Sequence, residues 1–186
     1  MTPAPPIVPL DRARHERSEF RSGESSLDEW LQRFAGQVAR QDGARTYVVT
    51  DGSRVIGYYS LGSFQVERAM SPQRTHLGRH PIPAILLARL AVDTSAQGSG
   101  LGSALLLDAL RISALVADRI GARILVVHAL HEAAAGFYLR HGFTRFESEP
   151  LSLYLLMQDV RATLIEAKLR DDVSTTYVLL STRGHR

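Results

Sequence analysis

The stretch from residue 82 to residue 120 constrains the fold more than any other part of the chain. It opens with an apolar run, Ile82 to Val92, that predicts a strand beginning just after Pro83. A glycine-rich turn follows, and then Ser103 to Ile120, dense in leucine and alanine, predicts a helix buried along most of its girth. A strand that turns tightly into a long buried helix is a building unit of an α/β fold.

Other segments predict the rest of a mixed sheet flanked by helices. Apolar residues at three- and four-residue intervals predict a helix from Ser25 or Ser26 to about Gly43. Asp51-Gly52 between two strand-like runs predicts a hairpin. Further predicted elements are a loop at 66–80, a strand at Ile124–Val127, a helix at Glu132–His141 stopped by Gly142, a strand at Leu151–Leu156, a helix at Asp159–Arg170 and a strand at Thr175–Leu180. The length of 186 residues favours one domain.

Composition narrows the kinds of site that the chain can build. It has no cysteine, which excludes disulfides, thiolate zinc sites and cysteine nucleophiles. Its seven histidines are scattered, so we expect no metal site. No apolar run is long enough to cross a membrane and the N-terminus lacks the features of a secretory signal, so we expect a cytoplasmic protein.

The basic residues are almost all arginine. Lys168 is the only lysine among 22 basic residues, and the formal net charge is +3. An arginine side chain can bind two phosphate oxygens at once, which favours a nucleic acid or a phosphorylated cofactor as partner. The alternative is a compositional bias on a solvated surface, because a modest net charge is not in itself a nucleic-acid footprint.

The turn Gln97-Gly98-Ser99-Gly100-Leu101-Gly102 has the properties of an anion site. Glycines allow the backbone to approach an anion closely, and the unpaired N–H groups at a helix N-terminus favour negative charge. The dinucleotide fingerprint requires a glycine where Ser103 stands, and the P-loop requires glycine, lysine and a hydroxyl residue around the same position. Neither NAD nor ATP is therefore indicated, and the alternative to an anion site is a tight turn that only begins a helix.

The pattern formed by Gln97, Gly100 and Gly102 resembles the pyrophosphate loop of the GNAT family of N-acetyltransferases. The resemblance implies a GNAT fold, with a mixed central sheet of six to seven strands that splays between the fourth and fifth. It also implies acetyl-CoA as co-substrate and no metal. The residues that would hold acetyl-CoA, on the splayed strand and the loop, are Leu90, Ala91, Val92, Gln97, Gly98, Ser99, Gly100, Gly102 and Ser103.

Catalytic roles also come from this resemblance. Tyr138 occupies the position of a tyrosine that protonates the sulfur of coenzyme A, although taken alone it could be a packed aromatic beside Phe137. A backbone N–H of the splayed strand, at Val92, would stabilise the oxyanion. His128 ends an apolar run, where it either faces the acyl site or is a satisfied core histidine.

A closer resemblance covers about residues 18 to 158. The segments Phe20–Leu31, Thr46–Val49, Gly57–Leu61, Arg89–Asp93 and Val126–Leu130 are similar to the acetyltransferase toxins of bacterial type II toxin-antitoxin modules. This implies acetylation of the α-amino group of aminoacyl-tRNA, a ribbon-helix-helix antitoxin that represses the shared operon, and a homodimer. Arginines available to hold tRNA are Arg40, Arg45, Arg74, Arg79 and Arg89, of which Arg89 could instead pair with a carboxylate across the sheet.

Two departures and two alternative functions accompany this interpretation. His131 stands at a helix start where these toxins often have an aspartate, so we expect a capping carboxylate to be lost. Residues 1–158 would form the acetyltransferase domain, and residues 159–186 an extension packed on the same domain or on a dimer partner. The alternatives are an acetyltransferase acting on a small amine or a protein N-terminus, and a module that binds coenzyme A or a protein without turnover.

Overall fold

The computed structural model describes residues 5–41, 43–67 and 81–168. The strands are β1 (Val8–Pro9), β2 (Arg45–Asp51), β3 (Arg54–Val66), β4 (Ile82–Val92), β5 (Ile124–His128), β6 (Thr144–Arg145) and β7 (Ser152–Leu156). The helices are α1 (Ser25–Glu29), α2 (Ala35–Arg40), α3 (Leu101–Ile120), α4 (Glu132–Arg140) and α5 (residues 157–168). A π-helical segment, Trp30–Phe34, joins α1 to α2, and a 3₁₀ turn, Thr94–Ala96, follows β4.

The strands form one mixed sheet in the order β1-β2-β3-β4-β5-β7-β6. Only β4 and β5 are parallel neighbours, paired from Ala84 with Ile124 to Leu87 with Val127. Beyond that point β4 continues to Val92 with β3 as its only neighbour. The register with β3 shifts opposite Ser60 and Leu61, which leaves an extra residue in β4 and bends the strand away. The predicted fold, including the splay between the fourth and fifth strands, is confirmed.

The two faces of the sheet are covered by different elements. On the first, here called the α3 face, Leu105 and Leu106 of α3 pack against Tyr59, Leu87 and Leu125 of the sheet. On the second, here called the α1 face, Trp30 and Leu31 pack against Val48 and Tyr58. A third cluster, around Val66, Ile124 and Val126, continues the α1 face toward β5 and β7. Because side chains alternate along a strand, β4 and β5 each contribute residues to both faces.

The long helix α3 begins and ends at glycines with left-handed backbone. Gly100 precedes it with φ 87°, and Gly121 closes it with φ 80° and an N–H that bonds to the Ala117 carbonyl. The predicted end at Gly121 is confirmed. The helix starts at Leu101 rather than at Ser103, so the last two residues of the glycine turn already belong to its first turn.

Two strand boundaries differ from prediction, and one short strand was not predicted. The strand β4 begins at Ile82 and includes Pro83, which is tolerated because β5 pairs with β4 only from Ala84 onward. The strand β3, predicted from the run Arg54–Leu61, extends to Val66, because β4 pairs with it along this additional length. The short strand β6 was not predicted, since two residues carry no alternation that could reveal it.

The helix α5 lies on the α3 face. Val160 is buried, Leu164 packs against the α3-face core, and Arg161 pairs with Asp118 of α3 at 2.5 Å. A helix beginning near Asp159 was predicted, and the structure has one from 157. The predicted strand Thr175–Leu180 lies outside the described residues, and the boundary between residues 158 and 159 stays a prediction.

Candidate active site

A cleft of about 880 Å³ opens where β4 and β5 separate. Its lining includes Tyr138 and Ser103 from the α3 face, and Arg89 and Leu27 from the α1 face. The cleft is therefore accessible from both sides of the sheet. The predicted site residues that line it are Leu90, Ala91, Val92, Gln97, Gly98, Gly100, Gly102, Ser103 and Tyr138. Ser99 is not among the lining residues, and its hydroxyl donates to the Ala96 carbonyl at 2.6 Å.

The glycine loop is open to an incoming ligand. Gly98 and Gly100 have φ values of 77° and 87°, and a Cβ built on either would meet no atom within 4 Å. Glycine adopts this left-handed backbone without strain, so these two residues serve the path of the loop, which leaves the first amides of α3 at the cleft. An anion at this point would gain both hydrogen bonds and the favourable end of a 20-residue helix dipole. The loop fits the pyrophosphate of coenzyme A.

Gln97 holds this loop in place through its side chain. Its Nε2 donates to the carbonyl of Ser22 at 2.8 Å and to the carbonyl of Val92 at 3.0 Å. The amide therefore joins the segment before α1, the end of β4 and the glycine loop. Its predicted part in holding acetyl-CoA remains a prediction, and the geometry supports an indirect one.

The free edge of β4 presents backbone groups to the cleft. The N–H of Asp93 donates to Ile56 of β3 at 2.9 Å, so odd-numbered residues here face β3. Alternation then directs the backbone of Leu90 and Val92 toward the cleft. The Val92 carbonyl is taken by Gln97, while its N–H and both backbone groups of Leu90 remain available to a ligand laid along the strand.

Tyr138 is held in an apolar setting at the cleft. Its ring meets the edges of Phe137 and Phe143 at centroid distances of 5.2 and 5.5 Å, and its side chain is buried. Burial raises the pKa of the Tyr138 hydroxyl well above its ordinary value, so the phenol keeps its proton at neutral pH. No described residue bonds to this hydroxyl, which leaves the proton free for a group bound in the cleft.

His131 was expected to cost α4 a capping carboxylate, and the structure shows that its imidazole makes the cap instead. Its Nδ1 accepts a hydrogen bond from the N–H of Ala134 at 3.2 Å, which is the bond that an aspartate would accept. Nε2 must then carry the proton, and it lies 2.7 Å from the Glu24 carboxylate, which accepts it. Both residues line the cleft.

Arg89 does not pair with a carboxylate across the sheet. Its guanidinium lies over the ring of Trp30, 4.3 Å from the centroid, and no carboxylate in the described part of the chain pairs with it. Burial lowers the pKa of Arg89, which expresses the cost of holding a half-buried cation without a counter-charge. An anionic group at the α1 face of the cleft would remove that cost.

The positions of the other arginines predicted to contact tRNA say less about that role. Arg45 donates to the carbonyl of Ala39 at 2.5 Å, and Arg40 is exposed in the last turn of α2. Arg74 and Arg79 lie outside the described residues. Over the ranges that the structure describes, no three or more histidine or acidic residues group as metal ligands would, and no helix has the length and apolarity to span a membrane.

Sequence reasoning did not find several polar residues at the cleft. Glu24 lies before α1 and lines the cleft. Ser152, at the start of β7, and Glu149, three residues before it, are not among the lining residues and connect to the cleft through His128. Strand pairing and loop closure bring these residues together, and no local motif marks them. His128 itself lines the cleft and is exposed, so it is not a buried core histidine.

Comparison with known proteins bears on what this cleft does. Residues 42–145 match the family described as acetyltransferase (GNAT) domain. The chain is 45% identical over 148 residues to the tRNA-acetylating toxin of Mycobacterium tuberculosis (strain ATCC 25618 / H37Rv), covering 79% of this chain and 89% of the relative.

Two solved structures are similar over most of their length. AtaT complexed with acetyl-methionyl-tRNAfMet has a TM-score of 0.78 and 28% identity, covering 85% of this chain and 98% of AtaT. A mutant of the AtaT toxin bound to the C-terminus of the antitoxin AtaR and acetyl-CoA has a TM-score of 0.75 and 27% identity, covering 85% of this chain and 96% of the other.

Proposed function

The chain belongs to the GNAT acetyltransferase family, and on that premise we propose that it is the toxin of a type II toxin-antitoxin module. In this proposal it transfers acetyl from acetyl-CoA to the α-amino group of aminoacyl-tRNA. The acetylated amine is no longer a nucleophile for peptide-bond formation, so translation stops. The observation that carries the proposal is the 45% identity to a tRNA-acetylating toxin across 89% of that toxin's length.

The described residues supply what acetyl transfer requires. The loop and the first amides of α3 would hold the pyrophosphate, and the free backbone of Leu90 and Val92 would pair with the pantetheine arm. When bound, acetyl-CoA supplies an activated thioester. Tyr138, kept protonated by burial, would donate its proton to the departing sulfur. Binding both reactants in one cleft also contributes to the rate, because holding them in a reactive orientation removes much of the entropic barrier.

The acceptor would approach from the α1 face. Arg89 is the half-buried cation on that face, stacked on Trp30, and a phosphate of the tRNA acceptor end would provide the missing counter-charge. The resemblance to AtaT in complex with acetyl-methionyl-tRNAfMet supports an aminoacyl-tRNA acceptor. The same fold with a small-amine substrate would have little use for an unpaired arginine at this position.

The partners follow from the same relationship. We infer that an antitoxin binds the protein through its C-terminus, as AtaR binds AtaT, and that it carries a ribbon-helix-helix domain that represses the operon. We also infer a homodimer that acts in the cytoplasm, where charged tRNA is found. Gel filtration with light scattering of the toxin, alone and with its antitoxin, tests the assembly.

The decisive experiment for the activity uses labelled acetyl-CoA and total charged tRNA. After incubation and nuclease digestion, label on an aminoacyl adenosine supports the proposal and identifies the amino acid. Tyr138→Phe is the negative control, since it removes the proton donor without changing the shape of the cleft. Label on small amines or protein N-termini, with none on tRNA, would move the function to the first alternative, and binding of acetyl-CoA without any transfer would move it to the second.

A further inference from the structure

A hydrogen-bonded row of three side chains lies beside the cleft, where β5 ends and β7 begins. The Ser152 hydroxyl donates to a carboxylate oxygen of Glu149 at 2.7 Å, and Nδ1 of His128 lies 2.8 Å from the same hydroxyl oxygen. His128 and Ser152 are opposite each other in the β5–β7 pairing. Ser152 is buried, whereas His128 is exposed in the cleft.

The order of donors in this row fixes the tautomer of His128. A serine hydroxyl has one proton, and here the Glu149 carboxylate takes it, because an ionised carboxylate only accepts. The Ser152 oxygen can therefore only accept from His128, so Nδ1 carries the imidazole proton. Nε2 is left with its lone pair. No described residue bonds to that nitrogen, and the ring lines the cleft.

His128 and Tyr138 approach the cleft from opposite faces of the sheet. Ile124 and Val126, four and two residues before His128, belong to the cluster that continues the α1 face, and His128 meets Phe64 there edge-on at 5.6 Å. Tyr138 belongs to the α3-face core. In aminolysis of a thioester, the amine nitrogen and the sulfur are bonded to the same carbon. A base on one face and an acid on the other therefore suit that reaction.

We propose that His128 is the general base of the acetyl transfer, and that Ser152 and Glu149 are the residues that position and polarise it. The proposal rests on the proposed function, because the amine it serves is that of the aminoacyl-tRNA.

The step balances within the groups named. The neutral amine nitrogen forms a bond to the acetyl carbonyl carbon, and its extra proton passes to Nε2 of His128. The C–S bond then breaks, and the departing sulfur takes the proton of Tyr138. The imidazolium of His128 loses its proton to water, and the Tyr138 phenolate regains one from water. The sum is one amide and one free thiol from one amine and one thioester.

Glu149 has a defined part in this step. When Nε2 gains a proton, the imidazolium gains a favourable interaction with the Glu149 carboxylate through the Ser152 hydroxyl. This is the arrangement by which a third group orients a base in other enzymes. Other titratable or charged groups on elements around the cleft, which would also influence His128, are Glu24, Arg89, His131, Tyr138, Arg140 and, on β7, Tyr154.

The test compares wild-type protein with His128→Asn, Ser152→Ala and Glu149→Gln in acetylation of aminoacyl-tRNA across pH. Asparagine at 128 can still donate to Ser152 but has no basic nitrogen. We expect kcat to fall about 100-fold in that variant, with the affinity for acetyl-CoA unchanged. Ser152→Ala and Glu149→Gln should each cost about tenfold, as removal of the partner that orients a functional histidine commonly does.

The pH profile distinguishes a base from a structural residue. In wild type both the amine and His128 must be unprotonated, so log kcat/KM should rise with a slope near 2 at acidic pH. In His128→Asn only the amine titrates, and the slope should fall to about 1. In Glu149→Gln the slope should stay near 2 while kcat falls, because the basic nitrogen is kept and the group that orients it is changed. The matched control is His15→Asn, on a loop far from the cleft, which should behave as wild type.

The outcomes separate the two proposals. If wild type acetylates no aminoacyl-tRNA, the proposed function fails and the role of His128 fails with it. If wild type is active and His128→Asn keeps its rate and slope, the function stands and the base assignment is wrong. Should His128→Asn fail to fold, as judged by its unfolding transition, Glu149→Gln decides the matter: a kcat equal to that of wild type would overturn the proposal.

Discussion

Glu24 and His131 join two walls of the cleft through a 2.7 Å bond, while the same imidazole caps α4 through its other nitrogen. The two bonds require the neutral tautomer protonated at Nε2. His131→Ala should therefore lower the free energy of unfolding by about 1 kcal/mol, the usual cost of a lost cap. His131→Asn, which keeps a capping oxygen, should lose less than half of that. Urea unfolding at neutral pH measures both, and equal losses would show that the cap contributes nothing.

The buried carboxylate of Asp93 makes stability depend on acid pH. Burial alone would raise its pKa, but hydrogen bonds from Ser95 and Arg21 and the charge of Arg54 together lower the pKa below its ordinary value. A lowered folded-state pKa means that the stabilisation is complete above the unfolded-state pKa of about 3.9 and is lost as pH falls through the folded-state pKa.

Asp93→Asn should thus destabilise the protein by about 2 kcal/mol at pH 7 and flatten the acid-side loss of stability. Unfolding free energies measured from pH 7 down to pH 3 test this. Asp51→Asn, at the exposed hairpin turn, is the control and should leave the pH dependence unchanged. An identical acid slope in wild type and Asp93→Asn would contradict the assignment.

Tyr138→Phe should reduce kcat for acetyl transfer about 100-fold or more, with the unfolding free energy little changed. The hydroxyl has no partner among the described residues, so its removal should not disturb packing. Because burial raises the pKa of Tyr138, wild-type activity should show no decline from tyrosine ionisation near pH 10. Tyr47→Phe, in β2 and outside the cleft, serves as the control. Wild-type turnover by the Tyr138 variant would remove the proton donor from the mechanism.

Arg89→Ala should weaken aminoacyl-tRNA binding about tenfold and reduce the slope of log Kd against log salt by about one, as loss of one phosphate contact does. The physical reason is that Arg89 is a half-buried cation with an aromatic support and no described carboxylate partner. Filter binding at several salt concentrations gives both quantities. Arg111→Ala, an exposed residue paired with Asp108 on α3, is the matched control. An unchanged salt slope for Arg89→Ala would place the tRNA elsewhere.

Gly100→Ala should cost about 1–2 kcal/mol of stability because alanine at φ 87° is strained, and it should also weaken binding of acetyl-CoA. Gly52→Ala provides the matched strain, since Gly52 has φ 60° at the β2–β3 turn, equally without neighbours within 4 Å. Calorimetric titration with coenzyme A should separate the two variants. Equal affinities would mean that the loop does not hold the pyrophosphate.

Local sequence signals predicted most of the helices and strands, and the resemblance to the GNAT family supplied the splayed sheet and the residues of the cleft. A left-handed glycine, a long apolar helix and a strand with unbroken apolar character each leave a mark in a few consecutive residues, and those marks located Gly100, α3 and β5. Residues that are brought together only by tertiary contacts have no such local signal in the sequence. Glu149 meets His128 through Ser152, which lies 24 residues further along the chain than His128. Its role depends on strand register, which a single sequence does not specify.

The treatment of His131 shows a different limit. The prediction considered only oxygen acceptors for a helix cap, as their statistics encourage. A neutral imidazole can do the same when its one proton is on the other nitrogen, and here Glu24, 107 residues away, accepts the hydrogen bond from that N–H. The π-helical turn at Trp30–Phe34 is similar in kind. Its apolar spacing fits an ordinary helix, and the wider turn arises where Trp30 and Leu31 are both buried on the sheet.

The opening between β4 and β5 is lined by residues from both faces of the sheet, so two ligands can enter it from opposite sides. One ligand can bind from the α3 face while another binds from the α1 face. Each can therefore enter or leave while the other stays bound. An inhibitor that filled the cleft from both faces would have to pass between β4 and β5. It would need a narrow linker of about 10 Å, the spacing of packed layers.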